Sequence, residues 1–414
     1  MIATERFTLP NGLRVVCNHT PGAVMAAVNI VYDTGARDES RSLTGIAHLF
    51  EHLMFGGSAN VPAFDAELER AGGSSNAWTS ADFTSFYDVL PAANLETAMH
   101  LESDRMLALD FRPHVLETQR AVVIEEFKQT CLNRPYGGLM HALRAALYAP
   151  EHPYSWPVIG LTPDHVAAVT EEDVRHWFYS HYAPDDAVMA VSGDITPGHC
   201  RALVEKWFGD IPRREIAPRI LPDPGFPDGR REVTVTDPRI ADPMLVLAMP
   251  MAPYGRPGYR AADCVTDILS AGHASRIFRR LVAGGDGTIV EADASIIGSE
   301  HPGFVMINAF TADARPETLD RAERLLMEQI ELLGCPGDLD PHELERTLNR
   351  FESTFALSNY DPLSRASNLA LAEMHGEDIN LNVALQRALT AAEIADTAAS
   401  LAAGPRVSLR YLPG

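Results

Sequence analysis

The sequence predicts an α+β fold in which one unit, with strands at its ends and helices between them, occurs twice. Short apolar runs rich in β-branched residues open and close each half, and longer segments of helical pattern lie between them. A segment with four prolines and two glycines and no period of its own, residues 215–229, separates two nearly equal halves. We therefore expect domains at 1–214 and 230–414 joined by a linker at 215–229.

The first half begins with strands and continues with helices that end at glycine pairs. A run rich in Thr, Phe, Tyr and Trp then predicts one long strand, and a capping-box-like start at Thr170 and Asp173 predicts a late helix. The predicted elements are strands at 13–17 and 25–32, helices at 43–55 and 63–71, a strand at 74–90, helices at 92–109, 114–131 and 137–148, the helix after Thr170, and a buried strand at 187–191.

The second half repeats this order of elements loosely, and the repeat is visible in the order of strands and helices rather than in the amino-acid identities. Like the first half, it has strands at its ends and helices between them. The predicted elements are a strand at 244–249, a helix at 259–282, two strands within 288–310, helices at 316–334, 340–357, 361–374 and 391–402, and a last strand at 407–411.

The composition is that of an ordinary soluble globular protein. Of 414 residues, 46% are hydrophobic and 22% charged, and the net charge is -22. Such an acidic chain is not expected to bind nucleic acid or an anionic membrane surface. Its charge would suit a cavity that receives basic or neutral peptides, and the alternative is that it only forms a solvated acidic surface. The longest apolar run, at 243–249, is too short to cross a bilayer.

The five cysteines are scattered and include no C-x-x-C pair, so the sequence predicts neither a disulfide framework nor a thiolate metal site. The first residues show no apolar leader segment. We expect a cytoplasmic protein, or a periplasmic one if a leader has been removed.

One motif in the helix predicted at 43–55 carries chemistry: His48-x-x-Glu51-His52. Residues four apart share a helical face, so His48 and His52 can present imidazoles to one ion. Glu51 lies beside the same point and can act as the base that activates a zinc-bound water. The alternative is an amphipathic helix whose histidines are only structural.

A third ligand is expected at Glu126, in the sequence Val-Val-Ile-Glu-Glu126-Phe. Catalytic zinc commonly takes two histidines and one glutamate and leaves a fourth position for water. The apolar neighbours of Glu126 are easier to explain if a cation pairs with its carboxylate. Taken alone, Glu126 could equally be a solvated acid on a helix face.

Together these motifs resemble the pitrilysin or insulinase family, the inverzincins, which includes the mitochondrial processing peptidases and their bacterial relatives. The resemblance covers the whole first half and only the general layout of the second. Its further matching segments are 31–37, 72–79, 152–154, 158–160, 182–188 and 193–194 in the first half, and 274–276 and 303–304 in the second.

The resemblance implies two tandem, homologous α/β-roll domains, each a mostly antiparallel sheet covered by helices. It implies that His48, His52 and Glu126 are zinc ligands and that Glu51 is the general base. Gln119 stands where the family often has a glutamate behind the metal ligands, and a carboxamide supplies no negative charge.

The family also implies that Asn76 and Ala77 lie on an edge strand that pairs with extended substrate. Trp78 and Phe83 on the same run either line side-chain pockets or simply pack in the sheet. The second half lacks a His-x-x-Glu-His motif, so one zinc ion per chain is expected.

Because the family closes four such units into a chamber, a second subunit is implied, either a copy of this chain or a metal-free paralogue. We expect a zinc-dependent endopeptidase that cleaves peptides or unfolded segments. The alternative is a non-catalytic scaffold or maturation-partner subunit of the same fold.

Overall fold

The computed structural model describes residues 1–214, 216 and 218–414. Glu215 and Ala217, in the predicted linker, lie outside the described residues. The chain forms two compact units, each assembled from three segments. The first unit contains Met1–Phe127, Pro157–Leu221 and Phe355–Asn382, and the second contains Lys128–Trp156, Pro222–Thr354 and Val383–Gly414.

A six-stranded sheet of order β1-β2-β6-β3-β5-β4 forms the centre of the first unit. Only the pairing of β2 with β6 is parallel, and the other pairings are antiparallel. Its strands are β1 (Glu5–Thr8), β2 (Arg14–His19), β3 (Met25–Tyr32), β4 (Ser74–Thr79), β5 (Thr84–Pro91) and β6 (Ala187–Gly193).

The second unit contains a five-stranded sheet of order β7-β11-β8-β10-β9, in which only β7 and β11 pair in parallel. This order matches that of β2-β6-β3-β5-β4, so the two sheets repeat one topology and the first adds β1. The predicted fold of two mostly antiparallel sheets with helices is confirmed. The strands are β7 (Arg230–Asp237), β8 (Met244–Pro250), β9 (Ile289–Ile297), β10 (Phe304–Thr311) and β11 (Arg406–Pro413).

Helices account for most of the remaining regular structure, and two short π-helical turns, Lys128–Leu132 and Phe278–Val282, occur among them. The α-helices are α1 (Ile46–Leu53), α2 (Phe64–Arg70), α3 (Leu95–Leu107), α4 (Pro113–Phe127), α5 (Leu139–Leu147), α6 (Pro163–Ala168), α7 (Glu171–His181), α8 (Pro197–Phe208), α9 (Tyr259–Ser270), α10 (Pro316–Leu333), α11 (Pro341–Leu357), α12 (Pro362–Met374), α13 (Asn382–Arg387) and α14 (Ala391–Ala403).

Both faces of the first sheet are covered by apolar side chains. On one face the buried residues of β2, β3 and β5 pack against α1, α3 and α4. On the other face Val16, Ala27 and Val188 pack against Leu369 and Ala370 of α12. Burial of apolar surface stabilises the folded state by roughly 25 cal/mol per Å², so it holds α1 in a fixed position against the sheet.

Several predicted elements differ from the structure. The single strand predicted at 74–90 is wrong, because β4 and β5 are separated by a turn. In that turn the Ser80 hydroxyl accepts the N–H groups of Asp82 and Phe83, at 3.0 and 2.9 Å. The single helix predicted at 259–282 is also wrong: α9 ends at Ser270, and Gly272 follows with a φ of 75°, which favours glycine.

Two strands, β1 and β7, were not predicted. β1 has four residues and β7 is rich in charged and polar residues, so neither shows the apolar run by which a strand is recognised. The predicted domains supply one sheet each, and their boundaries stay a prediction because each compact unit contains segments from both halves. Across the part of the chain that the structure describes, no helix is both long and apolar enough to span a membrane.

Candidate metal centre

Helix α1 carries His48, Glu51 and His52, and its apolar face fixes where they point. Ile46, Leu49, Phe50 and Leu53 are buried in the core of the first unit. Because these residues take one side of the helix, the polar residues occupy the other side.

The first turn of α1 is held by two local features. Gly45 precedes the helix with a φ of 87°, and a Cβ there would lie 2.9 Å from the carbonyl oxygen of Ile159, so glycine is required. The buried carboxylate of Glu39 accepts the N–H groups of Gly45 and Ala47, at 3.0 and 2.9 Å. These N–H groups have no partner within the helix, so Glu39 caps it.

Helix α4 carries Gln119 and Glu126 and packs beside α1. Val123 and Phe127 anchor it in the core, and the Arg120 guanidinium donates to the carbonyl oxygens of Ala167 and Val169. The side chain of Glu126 is 39% exposed, so its apolar neighbours in sequence do not bury it.

The side chains of His48, His52 and Glu126 converge. Nε2 of His48 lies 3.8 Å from Oε2 of Glu126, and Nε2 of His52 lies 3.5 Å from the same oxygen. The three ligand atoms all lie within 4.8 Å of one another. In a tetrahedral zinc site with bonds of about 2.0–2.1 Å, neighbouring ligand atoms are about 3.3–3.4 Å apart. The donor set and its spacing therefore fit a zinc ion after small side-chain adjustments.

The electrostatics of the three side chains also suit a cation. Burial lowers the pKa of His48 to about 4, so this imidazole is neutral, which is the metal-binding form. A hydrogen bond from His52 lowers the pKa of Glu126, which keeps its carboxylate charged. Burial opposes protonation of His52, but hydrogen bonds to Glu126 and Gln119 and the charges of Glu51 and Glu126 raise its pKa.

The metal-facing side chains are also accessible. The side chains of His48 and His52 are 14% and 23% exposed, so water and a substrate can reach this point. Among the described residues none bonds to the buried Nδ1 of His48. The exposure of these side chains suits a catalytic zinc site, because such a site leaves its fourth position for water or substrate.

The carboxylate of Glu51 contacts a residue other than Glu126, the neighbour of the two histidines. Its carboxylate oxygen Oε2 accepts a hydrogen bond of 2.5 Å from the hydroxyl of Thr79 at the end of β4. Burial raises the pKa of Glu51, and the bond from Thr79 opposes that shift. Sequence reasoning did not identify Thr79 or Glu39, because both contacts join residues that no helical or strand period relates.

Strand β4 lies at the edge of the first sheet and carries the predicted substrate-binding residues. Asn76 is exposed and Ala77 is half-buried, and the N–H of Ala77 donates to Oδ1 of Asn76 at 2.8 Å. Trp78 and Phe83 contact each other edge to face, with ring centroids 5.0 Å apart. The structure thus places Asn76 and Ala77 on an edge strand next to Thr79, and their role stays a prediction.

Two family models match the chain. One is described as insulinase (peptidase family M16) and matches residues 14–150, and the other as peptidase M16 inactive domain and matches residues 168–351.

Relatives and a solved structure agree with these matches. An uncharacterized zinc protease of Mycobacterium leprae is 33% identical over 241 residues, which cover 56% of this chain and 54% of that protein, about half its length. Zinc protease PqqE of Helicobacter pylori is 26% identical over 404 residues, 95% of this chain and 88% of that protein. The crystal structure of a protease from Helicobacter pylori covers 100% of both chains with a TM-score of 0.88 and 23% identity, which shows the same fold.

The chain therefore belongs to the insulinase family, peptidase family M16.

Proposed function

We propose that this chain is the zinc-bearing subunit of a metalloendopeptidase that cleaves peptides or unfolded segments. The observation that supports the proposal most directly is the convergence of ligand atoms from His48, His52 and Glu126. A scaffold protein has no need of the additional carboxylate of Glu51 on the same helix. The names of the relatives, zinc proteases, agree with this assignment.

The chemistry follows from the roles of four side chains. When bound by His48, His52 and Glu126, zinc would act as a Lewis acid toward the scissile carbonyl and the attacking water. Glu51 accepts a proton from that water and later passes it to the leaving amine.

The substrate is proposed to bind as an extended peptide along β4. An edge strand presents main-chain groups that no neighbouring strand bonds, so a peptide can add to the sheet at Asn76 and Ala77 whatever its sequence, once it displaces Oδ1 of Asn76 from the N–H of Ala77. The net charge of -22 favours basic or neutral peptides over acidic ones.

We propose one zinc ion per chain and a second subunit that completes a closed chamber. Among the residues that the structure describes, His48, His52 and Glu126 form the one group of three side chains able to hold a metal. Native mass measurement with and without co-expressed neighbours tests whether the partner is a second copy or a metal-free paralogue.

The decisive experiment combines zinc content with peptide cleavage. Wild type, Glu51→Gln and Glu126→Gln are purified, their zinc is measured, and each is assayed with a quenched fluorescent peptide library, alone and with the partner. Glu51→Gln should keep its zinc and lose about 100- to 10,000-fold in kcat, since it removes the base. Glu126→Gln should lose zinc as well, because a ligand is weakened.

Glu125→Gln is the matched control, because Glu125 is the exposed neighbour of Glu126 on the same helix. It should keep both zinc and activity. Bound zinc without cleavage under any of these conditions would favour the scaffold alternative, and absence of zinc in the wild type would contradict both parts of the proposal.

A further inference from the structure

The hydrogen bond between Thr79 and Glu51 joins the edge strand of the first sheet to the helix that carries the metal-binding histidines. The hydroxyl of Thr79 lies 2.5 Å from Oε2 of Glu51. Within the described part of the chain, it is the one hydrogen bond that the carboxylate of Glu51 receives. Without it, a glutamate side chain with three rotatable bonds would sample several rotamers.

Thr79 is itself held firmly. It is the last residue of β4 and pairs with Thr84 of β5 in an antiparallel register. The next residue, Ser80, closes the turn, since its N–H donates to the carbonyl of Phe83 and its own carbonyl accepts the N–H of Ala36. A hydroxyl fixed in this way can fix the group that it contacts.

Alternation along β4 explains why Thr79 reaches Glu51. Ser75, Ala77 and Thr79 share the half-buried face of the strand, and Asn76 and Trp78 point to the exposed face. Thr79 is therefore two residues from Ala77, where an extended peptide is proposed to pair.

We propose that Thr79 is a positioning residue for Glu51, and that its hydroxyl ties the orientation of this base to the strand along which the substrate binds. This inference rests on the proposed function. It assigns no chemical step to Thr79, which acts through Glu51.

The proton transfers proposed for Glu51 are compatible with this role of Thr79. Thr79 occupies Oε2, so Oε1 is the oxygen that accepts a proton from water and returns it to the leaving amine. The O–H of Thr79 donates to Oε2 both when Glu51 is a carboxylate and when it is a carboxylic acid protonated on Oε1. Thr79 can hold Glu51 throughout the cycle without exchanging its own proton.

Three variants test the inference. Thr79→Val has nearly the same shape and keeps a β-branched residue in the strand, but has no hydroxyl. Thr79→Ser keeps the hydroxyl. Ser75→Ala removes a hydroxyl from the same face of β4 at a residue whose side chain contacts Asp65 rather than Glu51, and serves as the matched control.

With the zinc-loaded protein and a quenched peptide, Thr79→Val should lower kcat by about 10- to 100-fold, because a misplaced base costs about that much. Its KM should stay within about twofold, since the lost contact concerns the reaction rather than binding. Thr79→Ser should recover most of kcat, and Ser75→Ala should match the wild type. Zinc content and melting temperature should be unchanged in all three.

Crystal structures of the wild type and the Thr79 variants provide a readout that does not depend on activity. Glu51 should keep one rotamer in the wild type and in Thr79→Ser, and take another rotamer or several in Thr79→Val. An unchanged Glu51 rotamer in Thr79→Val, or wild-type kcat in that variant, would overturn the inference. If the wild type cleaves no peptide, the proposed function fails, and the crystallographic comparison still decides whether Thr79 positions Glu51.

Discussion

Gln119 on α4 lies within reach of the imidazole of His52 on α1 and, against the opposing effect of burial, helps to raise the pKa of that imidazole. Through this contact the helix that carries Glu126 also orients the second histidine. Partners behind a metal ligand fix its ring and raise its basicity. The carboxamide of Gln119 can fix the orientation of the imidazole ring, but it adds no negative charge that would raise the basicity of the ring. Substitutions at Gln119 can therefore separate the effect of orientation from the effect of charge.

Gln119→Ala should weaken zinc binding by about 10- to 100-fold, as expected when such a partner is removed. Gln119→Glu keeps an acceptor and adds a charge, so it should bind zinc more tightly than the wild type. Zinc affinity is measured by competition with a chromogenic chelator. Glu117→Gln, an exposed change on the same helix, is the control. Equal affinities in all four proteins would show that Gln119 does not support the ligand.

The cap on α1 leads to a second prediction. Glu39→Ala leaves two buried N–H groups, those of Gly45 and Ala47, without their acceptor, and each such group costs about 1–3 kcal/mol. We expect a loss of at least about 1–3 kcal/mol in the free energy of unfolding of the metal-free protein, measured with urea. Zinc affinity should fall too, because His48 lies in the next turn. An unchanged urea midpoint, equal to that of the exposed-site control Glu69→Ala, would contradict this role.

Local patterns in the sequence predict helix α1, which carries His48 and His52. The spacing of His48 and His52 and the apolar residues between them both follow the helical period, so pattern and chemistry agree. The repeated order of strands and helices likewise predicts the fold, since each unit needs an apolar sheet face covered by helices.

Contacts between distant residues are what the sequence did not reveal. The turn between β4 and β5 contains neither glycine nor proline and depends on the Ser80 hydroxyl, so its residues read as strand. The contact of Thr79 with Glu51 arises only when a strand and a helix pack together, and that of Glu39 with Gly45 depends on the conformation of the loop before α1. A single sequence offers no period that would relate such pairs.

The core of the first unit contains a buried ion pair that supports a third prediction. The Arg105 guanidinium, fully buried, donates to both carboxylate oxygens of Glu102, and it stacks over the rings of Phe64 and Phe86 at 4.5 Å. Arg105→Met leaves a buried carboxylate without its cation, which costs about 3–5 kcal/mol. Urea denaturation of the metal-free protein measures the loss.

The control for Arg105 is an exposed pair of the same spacing. Arg70 and Glu67 are also three residues apart on a helix, but their side chains are 70% and 44% exposed. Arg70→Met should change stability little, because water screens the pair. Similar effects of the two substitutions would mean that burial does not determine the strength of the Arg105 pair.

The last prediction concerns a partly buried cluster with more carboxylates than guanidinium groups. Arg219 donates to Asp33, Asp38 and Asp186, and Arg37 contacts Asp33 and Asp82. Burial and the charges of Asp33 and Asp38 together raise the pKa of Asp186 to about 8, even though the charge of Arg219 acts in the opposite direction. Two guanidinium groups face four carboxylates, and this excess of negative charge favours the protonated form of Asp186.

The sign of the pH effect follows from linkage. Because the folded-state pKa of Asp186 is above its unfolded value of 3.8, the folded state binds more protons between pH 4 and about 8. The stability that this group contributes is fully present below the unfolded pKa and is lost as the pH rises to about 8. Asp186→Asn mimics the protonated acid, so it should remove this loss. The free energies of unfolding of Asp186→Asn and the wild type are measured at pH 5, 6.5 and 8. The variant should become more stable relative to the wild type as the pH rises. Parallel pH profiles would show that Asp186 is ionised in the folded protein.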